Sequence, residues 1–168
     1  MLRIALLGCG RIGVMHAANI ASHKRAELAG VFDIRAEAAQ AVAAAEGVRT
    51  FASPEEIFAD KAVDAVLIAT STPTHADLLE QAVAAGKPVL CEKPIDLSLD
   101  RVNRAAARIA GSSVPVMLGF VRRFDPGHRA CRTALRDGSI GDLHQVVVTS
   151  RDPGLAPVGY LKESGGIF

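Results

Sequence analysis

Neither sign of charge gathers into a block in this sequence: 19 Lys and Arg are interspersed with 18 Asp and Glu, for a formal net charge of +1. That balance removes the electrostatic footprint of nucleic-acid or anionic-membrane binding and points to a small molecule or another protein as partner. Cysteine is scarce, with Cys9, Cys91 and Cys131 far apart and in no CxxC or CxxH spacing. An odd, scattered set fits neither a disulfide framework nor a zinc site, so a reducing, cytoplasmic setting and no metal centre are expected. Long apolar runs are missing too. Leu2 to Leu7 is too short to span a membrane and runs into Gly8-Cys9-Gly10 rather than a cleavage site, so it reads as a buried strand. No internal repeat or low-complexity linker interrupts the chain.

What is present is 168 residues, 49% hydrophobic and 22% charged, enough for one core of ordinary size or one domain plus part of another. Disordered and fibrous classes are excluded. Apolar runs of strand length alternate with Ala-rich stretches of helical period, the pattern of a parallel sheet whose crossover helices cover both faces. The strand candidates are Arg3 to Leu7, Leu28 to Phe32, Arg49 to Phe51, Ala65 to Ala69, Pro88 to Cys91 and Val116 to Gly119. Helices are expected over Arg11 to Ser22, Arg35 to Ala45, Pro54 to Ala59, Thr74 to Ala85 and Leu99 to Ala110. Ser53-Pro54-Glu55-Glu56 supplies an N-cap, a first-turn proline and first-turn acids, and Gly86 and Gly111 stand where C-terminal caps belong. The fold class is α/β, a doubly wound parallel sheet. After Gly119 the texture changes to Arg122-Arg123-Phe124-Asp125-Pro126, a helical pattern to Arg136, a Gly138/Gly141 turn and a strand-like Val146 to Thr149. A domain boundary is therefore expected near residue 120, giving domains over 1–120 and 121–168. The second has too few residues to close a core, and the chain reads as cut short at Phe168.

Gly8-Cys9-Gly10-Arg11-Ile12-Gly13 follows the first strand and opens the first helix, a GxGxxG in the context that phosphate binding requires. The first glycine allows the tight turn, the second lets backbone approach a pyrophosphate, and the third permits close helix-to-strand packing. Free N–H groups and the positive end of the helix dipole then face the phosphates. Asp33 ends the second strand candidate 20 residues beyond Gly13, the spacing at which a carboxylate accepts hydrogen bonds from ribose hydroxyls. A carboxylate there repels a 2′-phosphate and favours NAD over NADP, although Arg35 stands two residues on.

A second constellation follows the fourth strand candidate. Thr70-Ser71-Thr72-Pro73-Thr74-His75 places hydroxyls and a histidine at the carboxyl edge of the sheet, where open α/β sheets bind ligands, with helix capping by Thr72 or Thr74 and a plain first-turn place for His75 as the competing roles. Cys91-Glu92-Lys93-Pro94 follows the fifth strand candidate at the same edge. A lysine at the mouth of a nucleotide site, desolvated and beside a positive nicotinamide, has its pKa lowered and can exchange a proton with a substrate hydroxyl. Glu92 and Pro94 imply a fixed backbone there, and the peptide before Pro94 is a candidate for the cis form.

GCGRIG with Asp33, then ATSTPTH, CEKP, GFVRRFDP, SRDP, Tyr160 and the closing SGGIF together resemble the Gfo/Idh/MocA oxidoreductase family. GFVRRFDP, SRDP and SGGIF resemble its inositol-oxidising branch, and the resemblance covers essentially the whole chain. It implies a Rossmann domain followed by the beginning of an α/β domain whose open, mainly antiparallel sheet carries the substrate site and often a tetramer interface. The implied reaction moves a hydride from a secondary alcohol of a cyclic polyol, myo-inositol becoming the 2-keto compound, to nicotinamide C4. By the same resemblance Gly8, Gly10, Arg11, Ile12 and Gly13 hold the pyrophosphate, Asp33 with Arg35 nearby the ribose, and Thr70, Ser71, Pro73 and His75 the nicotinamide side. Glu92 borders the cofactor. Lys93 matches the catalytic lysine, and Arg122 or Arg123 with Asp152 match positions lining the polyol pocket. In the family the general-base histidine and its acid lie just beyond SGGIF. His16, His23, His128 and His144 lack that context and read as helix or surface residues. Two other readings stand beside this one: another sugar or polyol dehydrogenase of the family, and a non-catalytic NAD-sensing module.

Overall fold

A computed structural model describes residues 1–151 together with 154 and 158. Within them the chain divides into two units, Met1–Gly119 and the segment from Phe120 onward. The first unit alternates strands and helices: β1 (Leu2–Leu7), α1 (Arg11–Ala21), β2 (Ala26–Phe32), α2 (Ala36–Glu46), α3 (Pro54–Ala59), β3 (Ala65–Ile68), α4 (Thr72–Ala84), β4 (Val89–Cys91), α5 (Leu99–Ile109) and β5 (Val116–Leu118). The strands form one five-stranded sheet in the order β2-β1-β3-β4-β5, every pair parallel.

Side-chain alternation along these strands builds the two layers. Ala5 and Leu7 of β1, Val66 and Ile68 of β3, and Val89 and Cys91 of β4 point to one face, against Ile57 and Phe58 of α3 and Leu78, Leu79 and Val83 of α4. Leu6, Leu28, Val31 and Leu67 point to the other, against Ala17 and Ile20 of α1 and Ala39, Val42 and Ala43 of α2. Leu6, Leu7, Ile57, Ile68 and Leu79 are fully buried, each stabilising the fold by roughly 1.5–3 kcal/mol relative to exposure. Small alanines on α1, α2 and α4 let the helices lie close to the sheet. On the outer side, Arg101 of α5 pairs with Asp77 and Glu80 of α4, and Arg108 with Glu80, joining the two helices.

The caps follow the local chemistry. Ser53 accepts a hydrogen bond from the Glu56 N–H at 3.3 Å, while the Glu56 carboxylate accepts from the Ala52 N–H at 2.6 Å. Gly86 ends α4 with φ +73°; Gly111, expected to do the same for α5, does not take a positive φ, and Gly47 (φ +68°) does so for α2.

Two expected strands are absent. Arg49 to Phe51 contributes a single parallel bridge, Thr50 to Val31, because Ser53-Pro54 turns the chain into α3 directly afterward. Counted as a rudimentary strand, it would extend the order to the six-position arrangement of dinucleotide-binding sheets. Val146 to Thr149 forms no strand, since no described residue pairs with it, and Val146, Val147 and Val148 are 64%, 77% and 81% exposed. The second unit instead holds a 3₁₀ turn (Val121–Arg123), helix α6 (Pro126–Arg136) capped by Asp125, which accepts from the His128 N–H at 2.9 Å, and turn glycines Gly138 and Gly141 with positive φ. No helix among the described residues is long and apolar enough to cross a membrane.

Candidate functional site

The strand order reverses direction between β1 and β3, and the loops leaving the carboxyl ends of those two strands diverge to opposite sides of the sheet, opening a crevice. Gly8 leaves β1 with φ +96°, and a Cβ there would lie 2.5 Å from Ala69 C and O, so the turn demands glycine twice over. A Cβ on Gly13 would fall 1.9 Å from Gly8 O, which lets α1 start directly against the loop. Gly10 is different: nothing lies within 4 Å of its would-be Cβ, so that side of the backbone is open. As N-cap of α1, Gly10 offers no side-chain acceptor, and the first turn contains no acid, which leaves the amides there available to an anion.

Asp33 stands just past β2, its side chain largely buried, one carboxylate oxygen accepting from the Cys9 N–H at 2.7 Å and the other from the Arg35 N–H at 2.9 Å. Each oxygen keeps a lone pair, so the carboxylate is fixed to the glycine loop while still able to accept from a diol. The Arg35 guanidinium is exposed and 3.8 Å from Asp33. A loop backbone open at Gly10 and a fixed carboxylate beside it together fit a dinucleotide. Cys9 Sγ lies against Phe32 O; burial and the neighbouring Asp33 push its thiol up to about 11.

Past β3, Ser71 caps α4 without a side-chain bond, so neither Thr72 nor Thr74 is the cap; Thr74 Oγ1 donates to Ser71 O at 2.8 Å and lies 2.7 Å from Thr70 Oγ1. Ser71, Pro73 and Thr74 are exposed and Thr70 is half-buried. His75 takes the structural one of its two expected roles, at the start of α4. It is 2% exposed, with Nδ1 2.7 Å from Pro94 O and Nε2 3.0 Å from Thr70 O, so both ring nitrogens meet protein carbonyls and none is left for a cofactor. It ties the loop after β3 to the loop after β4.

In that second loop the Lys93–Pro94 peptide is cis and the Lys93 side chain is exposed. Glu92 is turned inward: Oε1 accepts from His16 Nε2 at 2.8 Å, Oε2 accepts from the Lys93 N–H at 3.4 Å, and the two side chains are only 16% (His16) and 13% (Glu92) exposed. His16 lies on α1, a helix residue as the sequence implies, with its ring turned toward Glu92 rather than to solvent. Its spacing from Gly13, Ala17 and Ile20, the buried residues of α1, was the available signal that it points inward. Burial, then the Glu92 charge, push the neighbouring Cys91 thiol up to about 12.

Thus Gly8, Gly10, Arg11, Ile12, Gly13, Asp33, Arg35, Thr70, Ser71, Pro73, Glu92 and Lys93 all lie past the carboxyl ends of β1 to β4 in the first unit. Arg122 and Arg123 belong to the second unit, exposed in the 3₁₀ turn. Asp152, Tyr160 and the SGGIF segment lie outside the described residues.

A family model described as "Oxidoreductase family, NAD-binding Rossmann fold" matches residues 2–120. Among curated proteins, the inositol 2-dehydrogenase of Rhizobium meliloti (strain 1021) is 47% identical over 99% of this chain and 50% of its own length. The crystal structure of a myo-inositol dehydrogenase from Corynebacterium glutamicum is 47% identical with a TM-score of 0.92, over 99% of this chain and 50% of that one. The scyllo-inositol dehydrogenase of Lactobacillus casei, crystallised with NAD(H) and scyllo-inositol, is 31% identical with a TM-score of 0.80, over 84% of this chain and 43% of that one. The chain spans about half the length of the curated relatives it matches.

Proposed function

The chain belongs to the Gfo/Idh/MocA oxidoreductase family, and from that premise we propose that it forms the NAD-binding, lysine-bearing part of a dehydrogenase oxidising a secondary alcohol of a cyclic polyol, myo-inositol first among substrates. The observation that carries this reading is the meeting, at one edge of the sheet, of an open glycine loop, a carboxylate fixed to that loop, and the lysine of a Glu-Lys-Pro segment. Bound NAD supplies the hydride acceptor at nicotinamide C4.

The protein's own groups divide the rest of the work. The α1 amides at Arg11, Ile12 and Gly13 hold the pyrophosphate, and Asp33 accepts from the adenosine ribose diol. Its charge disfavours a 2′-phosphate, hence NAD rather than NADP. Thr70, Ser71 and Pro73 line the nicotinamide side. Lys93 donates to the hydroxyl oxygen being oxidised and shares its proton. Arg122 or Arg123 and Asp152 pair with the remaining hydroxyls, so that a missing or inverted hydroxyl leaves a donor or acceptor without its partner. The same reading has the protein cytoplasmic and assembled as a homotetramer.

The test uses the protein at the length in which its source makes it. NAD reduction with myo-inositol, scyllo-inositol and glucose is compared in wild type and Lys93→Ala, with NADH affinity followed by fluorescence. Turnover is expected to fall about 10²- to 10⁴-fold in Lys93→Ala with NADH affinity little changed, the usual size of lost proton-transfer assistance. Turnover insensitive to Lys93 would sink the enzyme reading in favour of an NAD-sensing module, and a preference for scyllo-inositol or glucose would move the substrate.

A further inference from the structure

We propose that His16 is a positioning residue for Lys93, acting through Glu92. This rests on the reading above only in giving Lys93 its chemical role; the brace itself is a matter of contacts. Glu92 and Lys93 are adjacent, and the Glu92 carboxylate is the side chain that anchors their segment. It is mostly withdrawn from water, held from α1 by His16 Nε2 at 2.8 Å. Its remaining room is provided by Gly119, where an added Cβ would come within 2.8 Å of Glu92 Oε2. Downstream, His75 of α4 holds Pro94 O at 2.7 Å.

Glu92–Lys93–Pro94 is therefore pinned on both sides by histidines from two helices on opposite faces of the sheet, and Lys93 is the side chain left free between the pins. The upstream pin has a consequence of its own. His16 rides on the helix whose first-turn amides are open to an anion, so the contact joins that helix to the lysine segment in a single hydrogen bond to a charged group. Loss of that bond frees the lysine's backbone while leaving the phosphate cradle and the sheet in place.

The experiment compares His16→Phe, which keeps a ring and removes the donor, with His16→Gln, which keeps an N–H donor at similar reach, in the native-length protein. Amide hydrogen exchange at Glu92 and Lys93 is expected to accelerate roughly 10-fold or more in His16→Phe, the scale of one hydrogen bond to a charged group, and to return toward wild type in His16→Gln. Amides of β1 should not change. Gly119→Ala, which presses on the same carboxylate from the other side, is expected to give the same local pattern. In turnover, kcat falls in His16→Phe with the KM for NAD unchanged, and His16→Gln restores it. Unaltered exchange at Glu92 and Lys93, or acceleration spread equally through β1, overturns the brace. NADH binding by wild type is read separately: wild type that binds no NADH but shows the local exchange pattern sinks the dehydrogenase reading and leaves the brace standing.

Discussion

A methyl group added at Gly10 meets nothing within 4 Å, whereas one added at Gly13 would lie 1.9 Å from Gly8 O. Gly10→Ala is therefore expected to keep the wild-type melting temperature yet bind NADH about 10-fold or more weakly, a displacement of ~1.4 kcal/mol sufficing. Gly13→Ala should lower the melting temperature itself, at about 1–3 kcal/mol or more for an overpacked contact. Calorimetry and NADH titration of both variants check the pair. The thiols give a second expectation at this scale. Cys9 and Cys91 are buried and held protonated, with pKa values near 11 and 12, while Cys131 is exposed on α6. Native alkylation at pH 8, mapped by mass spectrometry, should label Cys131 first and reach the other two only on unfolding. Gly8, Gly13 and Asp33 were legible because their spacing is local, within one β-α-β unit. The His16–Glu92 pair spans 76 residues and leaves no local pattern beyond the inward face of α1. His75 was visible as a residue of the right loop, but its burial depends on where Pro94 comes to lie.

Between elements, α4 and α5 are joined outside the core by Glu80 with Arg101 and Arg108. Burial alone would push the Glu80 carboxyl up, but hydrogen bonds and charge from the two arginines outweigh it and hold it below the ordinary glutamate range. A carboxylate depressed in the folded state contributes stability that is fully present above its unfolded pKa and is lost as pH falls through the folded one. Glu80→Gln should therefore lower the melting temperature most near neutrality, and the gap to wild type should close below about pH 4. A gap independent of pH would show that the arginines do not act through the charge. Helices and strands of the first unit were legible from the alternation of apolar runs and Ala-rich periods, since both sheet faces are covered and each buried strand reads as continuous. Arg49 to Phe51 and Val146 to Thr149 have strand composition too, but a strand exists only where a neighbour pairs with it, and composition carries no information about the neighbour.

Over the whole molecule, apolar side chains from Phe120 to Val148 remain on the surface: Phe120, Val121, Phe124, Ile140, Leu143 and the three valines 146–148 are all more than half exposed. The 168-residue chain by itself is expected to self-associate, seen by light scattering as a mass rising with concentration, and Val147→Lys with Phe124→Ser should reduce it. A concentration-independent monomer would contradict this. The strand order carries a different message. β1, the earliest strand in the sequence, sits inside the sheet with β2 on one flank and β3 on the other. Of these five strands it is therefore the first to be synthesised and the one on which both halves of the sheet must later condense. Removal of residues 2–7 would not trim an edge but separate β2 with its helices from β3, β4 and β5, leaving two fragments with no shared ladder.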